Sequence, residues 1–98
     1  MKTIIKNIPT TFVILDNGKE VNLNHLLRTI EEFIEVGLDD MGEYGMRNYE
    51  VPYLDVADEL VNLGYLKIVR GSRMATIYAV VDKWKLSLFY GDLQELQN

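Results

Sequence analysis

The residues able to do chemistry are few. One histidine, His25, stands alone in a chain of 98 residues that contains no cysteine. A histidine works as a general base only when a nucleophile or a carboxylate is placed to work with it. No G-x-S-x-G, P-loop or H-E-x-x-H pattern supplies that companion. Without cysteine there is neither a disulfide nor a thiolate metal site, and a single histidine argues against structural zinc. The acidic pairs Glu31-Glu32, Asp39-Asp40 and Asp58-Glu59 invite comparison with Mg²⁺ or Ca²⁺ ligands. They lack EF-hand spacing, and adjacent residues on a helix diverge by about 100°. The expectation is a non-enzymatic chain with no metal and no cofactor.

What the sequence does hold is segregated charge. Residues 1–22 carry three Lys and two acids, residues 23–64 two Arg against ten acids, and residues 65–98 five basic residues against three acids. The net charge of -5 therefore hides an acidic middle and a mildly basic C-terminal third. Such a dipolar chain suits an oriented partner surface; a solvated helical face is the plainer alternative. At 48% hydrophobic and 26% charged residues, the composition is that of one globular domain, taken as residues 1–98. No apolar run approaches the ~20 residues of a membrane span. Residues 1–9 are too short and too polar for a signal peptide. A soluble, cytoplasmic protein without membrane contact is expected.

The elements that must position these charges are legible in the patterning. Thr3–Ile8 and Thr11–Leu15 are short apolar stretches divided by Pro9, which argues against one continuous strand. Asp16-Asn17-Gly18-Lys19 is a turn, because Asn-Gly tolerates positive φ, and Glu20-Val21 can pair back as a hairpin arm. Leu26, Leu27, Ile30, Phe33 and Ile34 recur at helical spacing behind an N-cap at Asn22, with Val21 and Leu26 as a hydrophobic staple. Gly37 is placed to end that helix in the left-handed conformation. Residues 39–51 form a linker of turn formers interleaved with Met41, Tyr44, Met46 and Tyr49. Pro52 suits the first position of a second helix, whose apolar stripe is Tyr53, Val56, Ala57, Leu60 and Val61 and which Gly64 ends. Tyr65–Val69 and Thr76–Val81 are β-rich and flank the polar turn Arg70–Arg73. Asp82-Lys83 suggests another tight turn, and Trp84–Tyr90 partly alternates, which predicts a third strand.

Leu60–Val81, LVNLGYLKIVRGSRMATIYAVV, resembles a winged-helix domain. In that family a recognition helix ends at Leu-Gly, a strand follows, and a basic turn, the wing, leads to the returning strand. The resemblance covers about thirty residues and implies a recognition helix at Tyr53–Leu63 and a wing at Arg70–Arg73. It implies a winged-helix-like α+β fold, with two main helices on a small antiparallel sheet, an added N-terminal hairpin and an added C-terminal strand. A plain meander with two helices on one face stays open. The chain departs from the family where residues 39–51 stand in place of a compact middle helix.

Fold and charge pull in opposite directions. The helix face that would meet DNA carries Asp55, Asp58, Glu59 and Asn62, and carboxylates repel phosphates. The leading expectation is therefore a protein-binding module. Asp55, Asp58, Glu59 and Asn62 supply charge and polarity, and Tyr44 and Met46 adaptable apolar contact, to cover a basic surface of a nucleic-acid-handling partner. A phage- or mobile-element-encoded modulator is the style such a small acidic domain fits. The alternative is a DNA-binding regulator that contacts phosphates through Lys67, Arg70, Arg73, Lys83 and Lys85. A homodimer, joined through the added terminal elements, stays open as well.

Overall fold

The Asn-Gly turn sets the N-terminal architecture. The structure, a computed structural model, describes residues 2–5, 11–37, 44–70 and 76–96. Strands β1 (Lys2–Ile5), β2 (Thr11–Ile14) and β3 (Glu20–Asn22) form an antiparallel meander in that order. Gly18, at φ 86°, turns the β2–β3 hairpin, and the backbone bonds Leu15 N to Lys19 O and Gly18 N to Leu15 O close it at 2.8 Å each. Register places Val13 opposite Val21, both buried. Helix α1 (Leu23–Glu35) starts where β3 ends, with the Asn22 side chain accepting from His25 N at 3.1 Å. Leu23, Leu26, Ile30 and Phe33 bury its inner face, and Thr29 is satisfied by donating to His25 O.

Gly37 does not take the left-handed conformation expected of it. Among the described glycines only Gly18 and Gly64 have positive φ, and α1 instead runs out into an extended Val36. The Val36 carbonyl oxygen accepts from Lys83 Nζ at 2.7 Å, so a distant lysine does the work of a local cap.

The linker contributes β4 (Gly45–Arg47) and a single 3-10 turn, Asn48–Glu50. Helix α2 spans Leu54–Asn62, two residues later than Pro52 suggested, with Tyr53 as its N-cap residue. Its C-terminus is a Schellman motif: Gly64 at φ 86° with bonds from Gly64 N to Val61 O and from Tyr65 N to Leu60 O. Strands β5 (Leu66–Arg70) and β6 (Thr76–Val80) follow, and the second sheet has the order β4-β6-β5, antiparallel throughout. Leu66, Tyr78, Val80 and Met46 are buried in the main core.

The predicted C-terminal strand is a helix, α3 (Lys83–Glu95). Asp82 is its N-cap rather than part of a tight turn, its carboxylate accepting from Trp84 N and Lys85 N at 2.9 and 3.2 Å. The alternation over 84–90 misleads because α3 has apolar residues on two sides. Leu86, Phe89 and Leu93 are buried, largely against α1, whereas Trp84 and Leu88 face outward. The observed class is mixed α+β, with three α-helices and two small antiparallel sheets among the described residues.

Candidate functional site

The acidic residues of α2 do not act as one uniform face. Residues four apart share a side of a helix, so Asp55 and Glu59 point one way while Leu54 and Asp58 point another. On the first side the β2–β3 hairpin packs close by. Asn17 Nδ2 donates to Glu59 Oε2 at 2.8 Å, holding the hairpin tip against α2. Between hairpin and helix lies a groove of about 420 Å³. Phe12, Val21 and Val56 give it an apolar lining, and Glu20, Asp55 and Glu59 line it with three carboxylates against the single cation of Lys19. His25 also lines the groove, with its ring stacked on Tyr53 at 3.9 Å between centroids and 11° between planes. An apolar trough bounded by carboxylates suits an extended cationic side chain, whose methylenes can lie on the floor while its charge meets the acids.

On the second side Asp58 is engaged within the fold. Its Oδ1 accepts from the Tyr78 hydroxyl at 2.6 Å, tying α2 to the middle strand of the second sheet. Tyr78 is pushed up to about 12 by its burial first, then by the hydrogen bond to Asp58 and by that carboxylate's charge. The folded phenol thus ionises later than the unfolded one. Its contribution to stability is complete below pH 10 and is lost as pH rises from there through about 12. Tyr65 and Tyr90 are raised as well, both mainly by burial, so the alkaline loss has several sources. The difference between the natural protein and Tyr78→Phe isolates one of them. We expect Tyr78→Phe to cost ~1 kcal/mol at neutral pH, since the exposed Asp58 can turn to water, and to fall less steeply between pH 10 and 12 in urea titrations. Parallel curves for the two proteins would contradict this assignment.

The structure separates the other expected contacts from α2. Met46 is only 8% exposed and belongs to the core, opposite Tyr78 in the β4–β6 register, so it cannot offer a contact surface. Tyr44 is exposed, but it adjoins β4, at the sheet edge opposite β5, and α2 packs on β5. Its ring lies 4.5 Å from Lys83 Nζ. Leu54 and Ile68 are exposed apolar side chains on elements beside Asp58: Leu54 is one turn before it, and Ile68 pairs with Tyr78. Asn62 is exposed at the end of α2.

Of the basic residues, Lys67 is exposed on β5. Lys83 is committed to Val36 O and Tyr44, and Lys85 Nζ lies 5.1 Å from the Tyr65 ring. Arg70 ends β5, and Arg73, with the rest of the wing turn, lies outside the described residues. Nothing in the periodicity of the sequence pointed to Asn17, Glu20 or His25 as neighbours of α2, because they come from the hairpin and the first turn of α1, roughly thirty to forty residues earlier.

Among the described residues no group of three or more His, Asp or Glu could hold a metal ion, and no helix is long and apolar enough to cross a membrane. Comparison with protein families, with curated proteins and with solved structures finds no match for this chain.

Proposed function

We propose that this chain is a winged-helix-like domain that binds another protein, without catalysis, by laying the acidic side of α2 on a basic surface. The winged-helix reading is supported by element order. Helix α1, strand β4, helix α2 and the β5–β6 pair follow one another, with β4 bonded to β6 in a β4-β6-β5 sheet. The protein-binding reading rests on one observation. Helix α2 carries Asp55, Asp58 and Glu59 with no Lys or Arg from Leu54 to Asn62, and the hairpin adds Glu20 to the same groove. A surface of that sign repels a phosphate backbone and attracts the groups that would otherwise bind one. The partner that fits is a cytoplasmic nucleic-acid-handling protein, and a phage or mobile-element origin suits that use. The apolar share expected of Tyr44 and Met46 falls to Phe12, Leu54 and Ile68.

The test uses a fluorescent arginine-rich peptide as a probe of the face, by anisotropy at low salt. Asp55→Lys combined with Glu59→Lys should weaken its binding at least tenfold, or ~1.4 kcal/mol, with an unchanged circular dichroism spectrum. Equal binding by the double variant refutes the proposed face.

The basic β5–β6 turn favours a second reading, a DNA-binding regulator working through Arg70 and Arg73. It requires mixed-sequence duplex binding at roughly 1–100 μM that weakens steeply with salt, and an Arg73→Glu variant with a flatter salt dependence.

A further inference from the structure

Helix α3 is apolar on the side that faces solvent as well as on the side that faces the core. Trp84 is 73% exposed, Leu88 54% and the preceding Val81 52%. Trp84, Leu88, Gly91 and Glu95 recur at i, i+4, i+7 and i+11 and so form one outward stripe. Solvent-facing stripes of surface helices are normally polar, and an outward stripe built on Trp and Leu marks a surface that is covered in use. Gly91 adds an independent indication. Glycine is the poorest helix former after proline, yet here it occupies a helix interior. A Cβ built at Gly91 meets nothing within 4 Å among the described residues, so no packing among them requires glycine there.

We infer that the outer face of α3 is a homodimer interface in which two copies of the helix pack antiparallel about a twofold axis beside Leu88. The face is self-complementary in that arrangement. A twofold axis there sets the residues three and four before Leu88 beside those three and four beyond it in the second copy, each on its own flank of the seam. Leu88 meets Leu88. The Trp84 indole lies over Gly91 of the second copy, where the missing side chain leaves room for a ring. Lys85 and Asp92, seven residues apart on one flank of the stripe and both exposed, come opposite one another twice, once on each side of the axis. A parallel arrangement would carry the second copy's Lys85 and Asp92 to the opposite side of the seam and leave both charge pairs unmade. The antiparallel one pairs opposite charges and also opposes the two helix dipoles. The face shares no residue with the groove between α2 and the hairpin, so partner binding and dimerisation use different residues.

The experiment is sedimentation equilibrium of the full chain from ~10 μM to ~1 mM, the range expected for a small interface. The mass should rise toward twice 11.3 kDa. Gly91→Leu improves helix propensity while filling the space for the indole, so it should stay folded and weaken association at least tenfold. Lys85→Asp should weaken association as well, and Lys85→Asp with Asp92→Lys should restore it. A natural chain that remains monomeric at ~1 mM overturns the inference. So does a dimer that Gly91→Leu and Lys85→Asp leave unchanged. Asp55→Lys with Glu59→Lys should leave the dimer intact, which separates this result from the fate of the acidic face.

Discussion

Phe33→Ala will cost about 3–5 kcal/mol of folding stability. Phe33 is fully buried on the inner face of α1 and is the largest fully buried side chain of the core. Its ring packs in one continuous cluster with residues of both sheets and all three helices. Truncation removes the transfer energy of the ring and leaves a void that elements drawn from the whole chain must close together. A domain of this length has roughly 5–15 kcal/mol of stability in total, so the variant should lie close to its unfolding midpoint or lose cooperative unfolding altogether. Urea titration followed by circular dichroism measures the loss directly. Leu88→Ala is the matching control, because Leu88 is a large apolar side chain in solvent; at concentrations where the chain is monomeric it should change stability by less than ~0.5 kcal/mol. A loss below ~1 kcal/mol for Phe33→Ala would mean that the core is not packed as described.

Gly45→Ala will cost ~2–3 kcal/mol although it adds a single methyl group. Gly45 lies opposite Ala79 in the β4–β6 pair. A Cβ there would fall 2.5 Å from the Tyr78 carbonyl oxygen and 3.0 Å from Ala79 Cα. Both are backbone atoms of a central strand, and neither can rotate out of the way as a flexible side chain would. The edge strand must therefore retreat, which strains the bond from Val80 N to Tyr44 O, 2.6 Å in the natural chain. In a domain of this size the loss should lower the melting temperature by roughly 10 °C or more. Gly37→Ala is the control: among the described residues no atom lies within 4 Å of its Cβ position, and its φ is not positive, so that change should be neutral or slightly stabilising. Equal melting temperatures for Gly45→Ala and Gly37→Ala would contradict the close approach of β4 to β6.

The two substitutions also divide the sequence into what could be read from it and what could not. Phe33 was legible as core because it recurs with Leu26, Leu27, Ile30 and Ile34 at helical spacing, a signal confined to one helix. Gly45 read only as one of the turn formers of the 39–51 linker. Its close approach depends on a strand more than thirty residues later in the chain. The candidate site divides in the same way. That α2 would be acidic was plain from Asp55, Asp58 and Glu59. That Asp58 would be held by Tyr78, and that Asn17 and Glu20 would join Glu59, depended on how the hairpin and the second sheet dock on α2.

Short-range chemistry was decided by the sequence alone. The Asn22 cap, the Asn17-Gly18 turn and the helix stop at Gly64 each need only a few neighbouring residues, and so do the strands on either side of Arg70–Arg73. Tertiary structure decided the rest. Trp84–Tyr90 alternates in part as a strand would, yet it lies in a helix, Lys83–Glu95, because Asp82 caps it and α1 accepts Leu86, Phe89 and Leu93 at helical spacing. Met46 and Tyr44, two residues apart, were sorted into core and surface by the pairing of β4 with β6. The end of α1 took its cap from Lys83 rather than from Gly37. In each case local preferences differ by little, and burial against a distant segment is the larger energy.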